Sequence, residues 1–147
     1  MPRRKTTVHN ELKHWLLYLG TQSGYDQSYS GDSEPIDIRV GEKHIEYHPD
    51  VIWNWKGGLH IIELAFSEDW RSITGELVLA SMVKNCTEFY LITIGDPKFT
   101  GDLYKIIGSK IAFKKWISYT FEDSDLKDID KMKREIKSHL KQRNWVK

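Results

Sequence analysis

Two acids interrupt runs of strand-forming residues. Asp50 opens Val51-Ile52-Trp53, and Glu63 is embedded in Leu59-His60-Ile61-Ile62-Glu63-Leu64-Ala65. The runs are joined by Asn54-Trp55-Lys56-Gly57-Gly58, whose glycine pair marks a hairpin because glycine takes positive φ at little steric cost. Paired as strands, the runs set Glu63 near the end away from the turn, where it meets Asp50 on the neighbouring strand. Carboxylates among apolar residues are costly unless they hold a cation or a proton. That is the chemistry of a hard divalent metal site, which activates water and stabilises charge on a phosphate.

A rival metal reading uses His44, Glu46, His48 and Asp50, which alternate and would share one face of a continuous strand. Such neighbours stand ~7 Å apart along the chain, and Pro49 bends the row, so convergence on one ion is disfavoured. His48 alone, beside Asp50, suits a phosphate contact. His60, within an apolar strand, reads as structural. No Ser-His-Asp pattern, phosphate-binding glycine loop or dinucleotide fingerprint occurs.

The elements that must carry these residues follow from periodicity. Thr6 or Thr7 caps a helix with apolar Val8, Leu12, Trp15, Leu16 and Leu19, ended by Gly20. Residues 21–35 are polar and rich in Gly and Ser, a loop. Ile36 to Val40 alternates as a strand, Gly41-Glu42-Lys43 turns, and His44 to Tyr47 starts the return. After the acid-bearing hairpin, Ser67-Glu68-Asp69-Trp70 opens a helix with Ile73, Leu77 and Ala80 inward. Glu88 to Ile94 is a buried strand, Gly101 to Gly108 a short helix, Ala112 to Phe121 a strand, and Asp128 to Trp145 a closing helix with Ile129, Met132, Ile136 and Leu140 inward. This order implies an α/β sandwich: a mixed sheet with helices on both faces.

Pro49-Asp50 and Glu63-Leu64-Ala65, with the element order from about residue 8 to residue 122, resemble the PD-(D/E)xK nuclease superfamily, the fold of restriction enzymes and Holliday-junction resolvases. The resemblance implies a restriction-endonuclease-like fold, with Asp50 and Glu63 holding Mg²⁺ or Mn²⁺ and the Leu64 carbonyl as a further ligand. It also implies that Glu11 is the extra acid many members carry on the first helix. The signature lysine is absent, for Ala65 occupies its position. Ser67 shares the strand face of Glu63 and Ala65, Lys84 and Lys56 lie too far away, and Arg71 is taken as the substitute catalytic cation. The helix from Ile73 to Ala80 resembles the Q-x-x-x-Y segment of the exonuclease-like branch, with Glu76 and Ala80 at its signature positions. Glu76 reads as a ligand, an outer acceptor or an exposed charge.

With 147 residues, 29% charged and 39% hydrophobic, the chain is expected to form one domain, residues 1–147. No apolar run approaches the ~20 residues of a membrane span, and no apolar signal core follows the basic start. The single cysteine excludes an intramolecular disulfide and a Cys-based zinc site. A cytoplasmic location is expected. Net charge is only +1, yet residues 126–147 carry eight Lys or Arg against three acids. That helix either tracks a phosphate backbone or is a solvated amphipathic face. Trp53, Trp55, Trp70 and Trp116 either stack on bases or belong to the core. The expected activity is metal-dependent hydrolysis of duplex or branched DNA by an endonuclease, a homodimer by analogy with enzymes that cut two strands. The alternatives are an inactive nuclease-fold module that binds nucleic acid or a protein, and a different α/β fold with two ordinary strand-edge acids.

Overall fold

The computed structural model describes residues 5–108 and 116–147, the side chains of 116–118 excepted. Helix α1 (Lys5–Gln22) buries Val8, Leu12, Leu16 and Leu19 at helical spacing. It runs two residues past Gly20, because Gly20 serves an approach rather than a stop. A Cβ there would lie 2.2 Å from Trp53 Nε1. Trp53 Nε1 instead donates to the Leu16 carbonyl at 3.1 Å, tying α1 to the sheet.

The segment expected to be loop contains β1 (Gln27–Tyr29). Next come β2 (Ile36–Val40) and β3 (Lys43–Tyr47), which pair only with each other as a separate antiparallel hairpin. The acid-bearing runs are β4 (Val51–Trp55) and β5 (Gly58–Phe66), antiparallel with Val51 opposite Ile62 and Trp55 opposite Gly58. Their two-residue turn puts Lys56 at φ 51° and Gly57 at φ 85°, the paired positive values that match strand twist.

A 3₁₀ turn (Ser67–Asp69) leads into α2 (Trp70–Ser81), and then β6 (Cys86–Ile94) returns parallel to β5. Helix α3 (Pro97–Gly108) starts earlier than its periodicity suggested. Pro97 is suited to a first helical position, and Asp96 Oδ1 accepts from the Lys98 and Phe99 N–H groups. Strand β7 (Trp116–Phe121) pairs parallel with β6; the expected start of this strand, from Ala112, lies outside the described residues. Helix α4 (Ile129–Gln142) is capped by Asp128 and buries Ile129, Met132, Ile136 and Leu140.

The result is a five-stranded mixed sheet in the order β1-β4-β5-β6-β7. Helices α1 and α4 pack on one face with Val51, Trp53, Ile62 and Leu64. Helices α2 and α3 cover the other, over Ile52, Ile61, Ala65 and Leu91, joined there by Ile38 and Tyr47 of the small hairpin. Side chains alternate along β5, so Glu63 shares the face of Ile61 and Ala65 and points beneath α2. Among the described residues no helix is long and apolar enough to cross a membrane.

Candidate functional site

Continuing the Val51–Ile62 register by one step puts Asp50 opposite Glu63. The Asp50 N–H donates to Glu63 Oε1 at 2.6 Å, and the Leu64 N–H donates to Asp50 Oδ2 at 2.8 Å. Each acid is therefore held by backbone from the other's strand. Glu63 is 1% exposed. Above it stands Glu76, one residue before buried Leu77 on α2, half-buried and hydrogen-bonded to the Glu63 carboxyl.

This crowding has an electrostatic consequence. Burial first, then the Asp50 and Glu76 charges, push the Glu63 carboxyl well above the usual carboxylate range. Burial also raises Glu76, while its hydrogen bond to Glu63 acts the other way. Both shifts favour a protonated carboxyl in the pair, most strongly at buried Glu63. Beside them the Tyr47 hydroxyl is buried with no hydrogen-bond partner. Burial, with the charges of Glu63, Glu76 and Asp50, keeps it protonated.

Helix α1 contributes a basic ridge. Lys5, His9 and Lys13 recur every fourth residue, so they share one flank of the helix. His9 Nε2 lies 3.4 Å from Asp50 Oδ1, Lys5 Nζ 2.8 Å from Glu68 Oε1, and Lys13 Nζ 2.8 Å from Asp32 Oδ2. The hydrogen bond to Asp50 raises the His9 pKa against the opposing effect of burial. His9, Ala65, Asp69, Ser72 and Glu76 line a cavity of about 190 Å³.

Asp50 and Glu63 thus meet, and Glu76 joins them as a half-buried partner rather than an exposed charge. Glu11 lies elsewhere: it is half-buried on α1, about 200° around the helix from His9. Arg71 is exposed, its guanidinium over the Trp70 ring, on the side of α2 turned away from buried Ile73. Ser67 Oγ accepts from the Asp96 N–H and so ties β5 to the start of α3. The row from His44 to Asp50 does not converge, since His44 pairs with Asp37, while His48 lies 3.4 Å from Glu46 and 3.9 Å from Asp32. His60 packs edge-on against Trp145 and approaches Glu88, in keeping with a structural role. Trp53 is core, whereas Trp55 and Trp70 are exposed; the Trp116 side chain lies outside the described residues.

His9 went unseen in the sequence because a histidine on a helix flank looks like any polar surface residue. The signal available was its phase, one residue after Val8 and so on the edge of the buried stripe. The donor chemistry of the three carboxylates suits a hard divalent cation, and the orphaned Tyr47 hydroxyl is a further oxygen beside them. Among the described residues no group of three or more His, Cys, Asp or Glu is placed so that it could hold a metal ion. The carboxylate oxygens instead engage backbone N–H groups and one another.

Comparison with known proteins returned no family model, no curated protein and no solved structure that matches the chain.

Proposed function

We propose that this chain is a divalent-metal-dependent deoxyribonuclease domain on a restriction-endonuclease-like frame. The observation that carries the reading is the cluster of Asp50, Glu63 and Glu76 at the open end of the β4–β5 hairpin. The order of elements supports it: a leading helix, an antiparallel hairpin bearing the acids, then a crossover helix to a parallel strand.

Asp50 and Glu63 would hold Mg²⁺ or Mn²⁺, with Glu76 in the role first given to Glu11. A bound ion would supply an activated water and neutralise charge on the scissile phosphate. The protein's own part is then specific. Metal binding would need the proton at Glu63 and Glu76 to pass to solvent, leaving both as carboxylates for a cation. His9, its charged form favoured by the contact with Asp50, faces the cavity where Ala65 supplies no cation. It replaces Arg71 as the assisting cation, since it lines that cavity. From there it attracts the phosphate and protonates the leaving oxygen. Lys5 and Lys13 extend the attraction along α1.

A second reading is a module on the same frame that binds without cutting. The missing lysine and the backbone bonds already made by Asp50 and Glu63 favour it.

The test is cleavage of linear duplex, single-stranded, supercoiled and four-way-junction DNA at low salt with Mg²⁺ or Mn²⁺, with Glu63→Gln alongside. Cutting by the wild type that disappears in the variant is expected. A folded wild type that binds these DNAs and cuts none of them would transfer the assignment to the binding module.

A further inference from the structure

The other end of the same hairpin carries an aromatic cavity that the carboxylate chemistry does not use. Trp55 closes β4 and is 49% exposed, with Lys56 Nζ 5.4 Å from its ring. Behind it the wall is fixed: the Tyr25 hydroxyl donates to the Trp145 carbonyl at 2.7 Å, and His60 sits edge-on between the Tyr25 and Trp145 rings. These rings enclose about 210 Å³, with Asn144 and Lys147 at the rim. That is below the roughly 300–1,000 Å³ of drug-sized pockets, and it suits one small planar group. A second cavity, of about 290 Å³, shares Ser23, Val146 and Lys147 with the first and adds Lys137. A planar aromatic hollow is thus contiguous with a basic one.

We propose that these joined cavities bind an unstacked nucleobase together with its phosphate. The base stacks on the exposed indole of Trp55, which offers a π-face without regard to base identity. Asn144 can pair with a base edge, since its amide both donates and accepts. Lys137 and Lys147 meet the phosphate, with Lys56 beside the indole. Aromatic hollows also hold organic cations, but Lys56 over the indole and Lys147 at the rim oppose such a guest. Asp50 and Trp55 are five residues apart on an extended strand, roughly 17 Å. The hollow lies on the α1–α4 face of the sheet, whereas Glu63 faces α2, so it is a site apart from the acids. The inference needs no metal, so it stands or falls separately from the nuclease reading.

The experiment is an NMR and calorimetric titration of the metal-free protein, in EDTA at low salt, with 2′-deoxyadenosine 5′-monophosphate. Ribose 5-phosphate and tetramethylammonium are the controls. Saturable nucleotide binding that shifts the Trp55 indole resonance is expected. Affinity should fall about tenfold for ribose 5-phosphate and about tenfold in Trp55→Ala, with a smaller loss in Lys137→Ala. Binding unchanged in Trp55→Ala, equal binding of ribose 5-phosphate, preference for tetramethylammonium, or no binding of the nucleotide at millimolar concentration would overturn it. Trp55 is exposed at a strand end, so its variant keeps the core; an unchanged amide spectrum away from the hairpin tip checks this.

Discussion

Glu63 is a carboxyl that the fold keeps only if a proton or a cation compensates its charge. Its folded pKa lies above the ordinary 4.5, so the folded state binds more protons than the unfolded chain between those values. Stability from this group is full below about pH 4.5 and is lost as pH rises through the folded value. His9 acts in the same direction: its stabilisation is present below about 6.5 and is lost as pH rises through its raised pKa. Thermal unfolding followed from pH 4 to 9 should therefore show wild-type stability falling with pH, and Glu63→Gln should flatten the Glu63 share of that slope. Tyr47→Phe removes a hydroxyl that is buried without a partner. Relief of such a group is worth roughly 1 kcal/mol, so urea unfolding should find the metal-free variant as stable as wild type or more so. A DNA-cutting rate that nonetheless drops would give that hydroxyl a role at the site. Asp50 and Glu63 were legible in the sequence because acids inside apolar strands break the expected pattern. His9 was not, and Glu76 was left open between ligand, outer acceptor and exposed charge, because each is an ordinary polar residue on a helix until docking turns it toward the acids.

Elements set these residues by close approach. Helix α1 reaches the sheet through Gly20, where a Cβ would run into the Trp53 indole and Ser28 Oγ. Gly20→Ala should cost about 1–3 kcal/mol in urea unfolding, as an overpacked contact does, despite the better helix propensity of alanine. Because α1 also carries His9, the same variant should lower DNA cleavage under conditions where it remains folded. A variant as stable as wild type would refute the account of this docking. The periodic helices and the β4–β5 hairpin could be read from the sequence, since burial of one face writes itself into spacing. Strand β1 could not, for Gln27-Ser28-Tyr29 is a short polar segment that pairs with β4 by ladder hydrogen bonds and shows no apolar alternation. Gly20 misled for a related reason: a glycine that admits a neighbour looks in sequence like one that stops a helix.

At the scale of the whole molecule the two proposed sites sit at the two ends of one hairpin, the acids at the open end and Trp55 at the turn. The sandwich itself followed from the order of elements, because consecutive parallel strands need crossovers and these put α2 and α3 on one face. The sheet order, the isolation of the β2–β3 hairpin and the placing of Tyr47 beside the acids depend on long-range packing that periodicity does not encode. Helix α4 presents Arg134, Lys137 and Lys141 to solvent while its apolar stripe is buried. DNA affinity should fall steeply with salt, and reversing those three charges should reduce the slope of log affinity against log salt. An unchanged slope would assign them to solvation alone. The claim on which the functional reading rests is that the buried acids accept a divalent ion. Calorimetric titration of the metal-free wild type with Mn²⁺, beside Glu63→Gln, measures it most directly. Saturable binding by the wild type that is lost in the variant is the predicted result, and no binding, or equal binding by both, would contradict it.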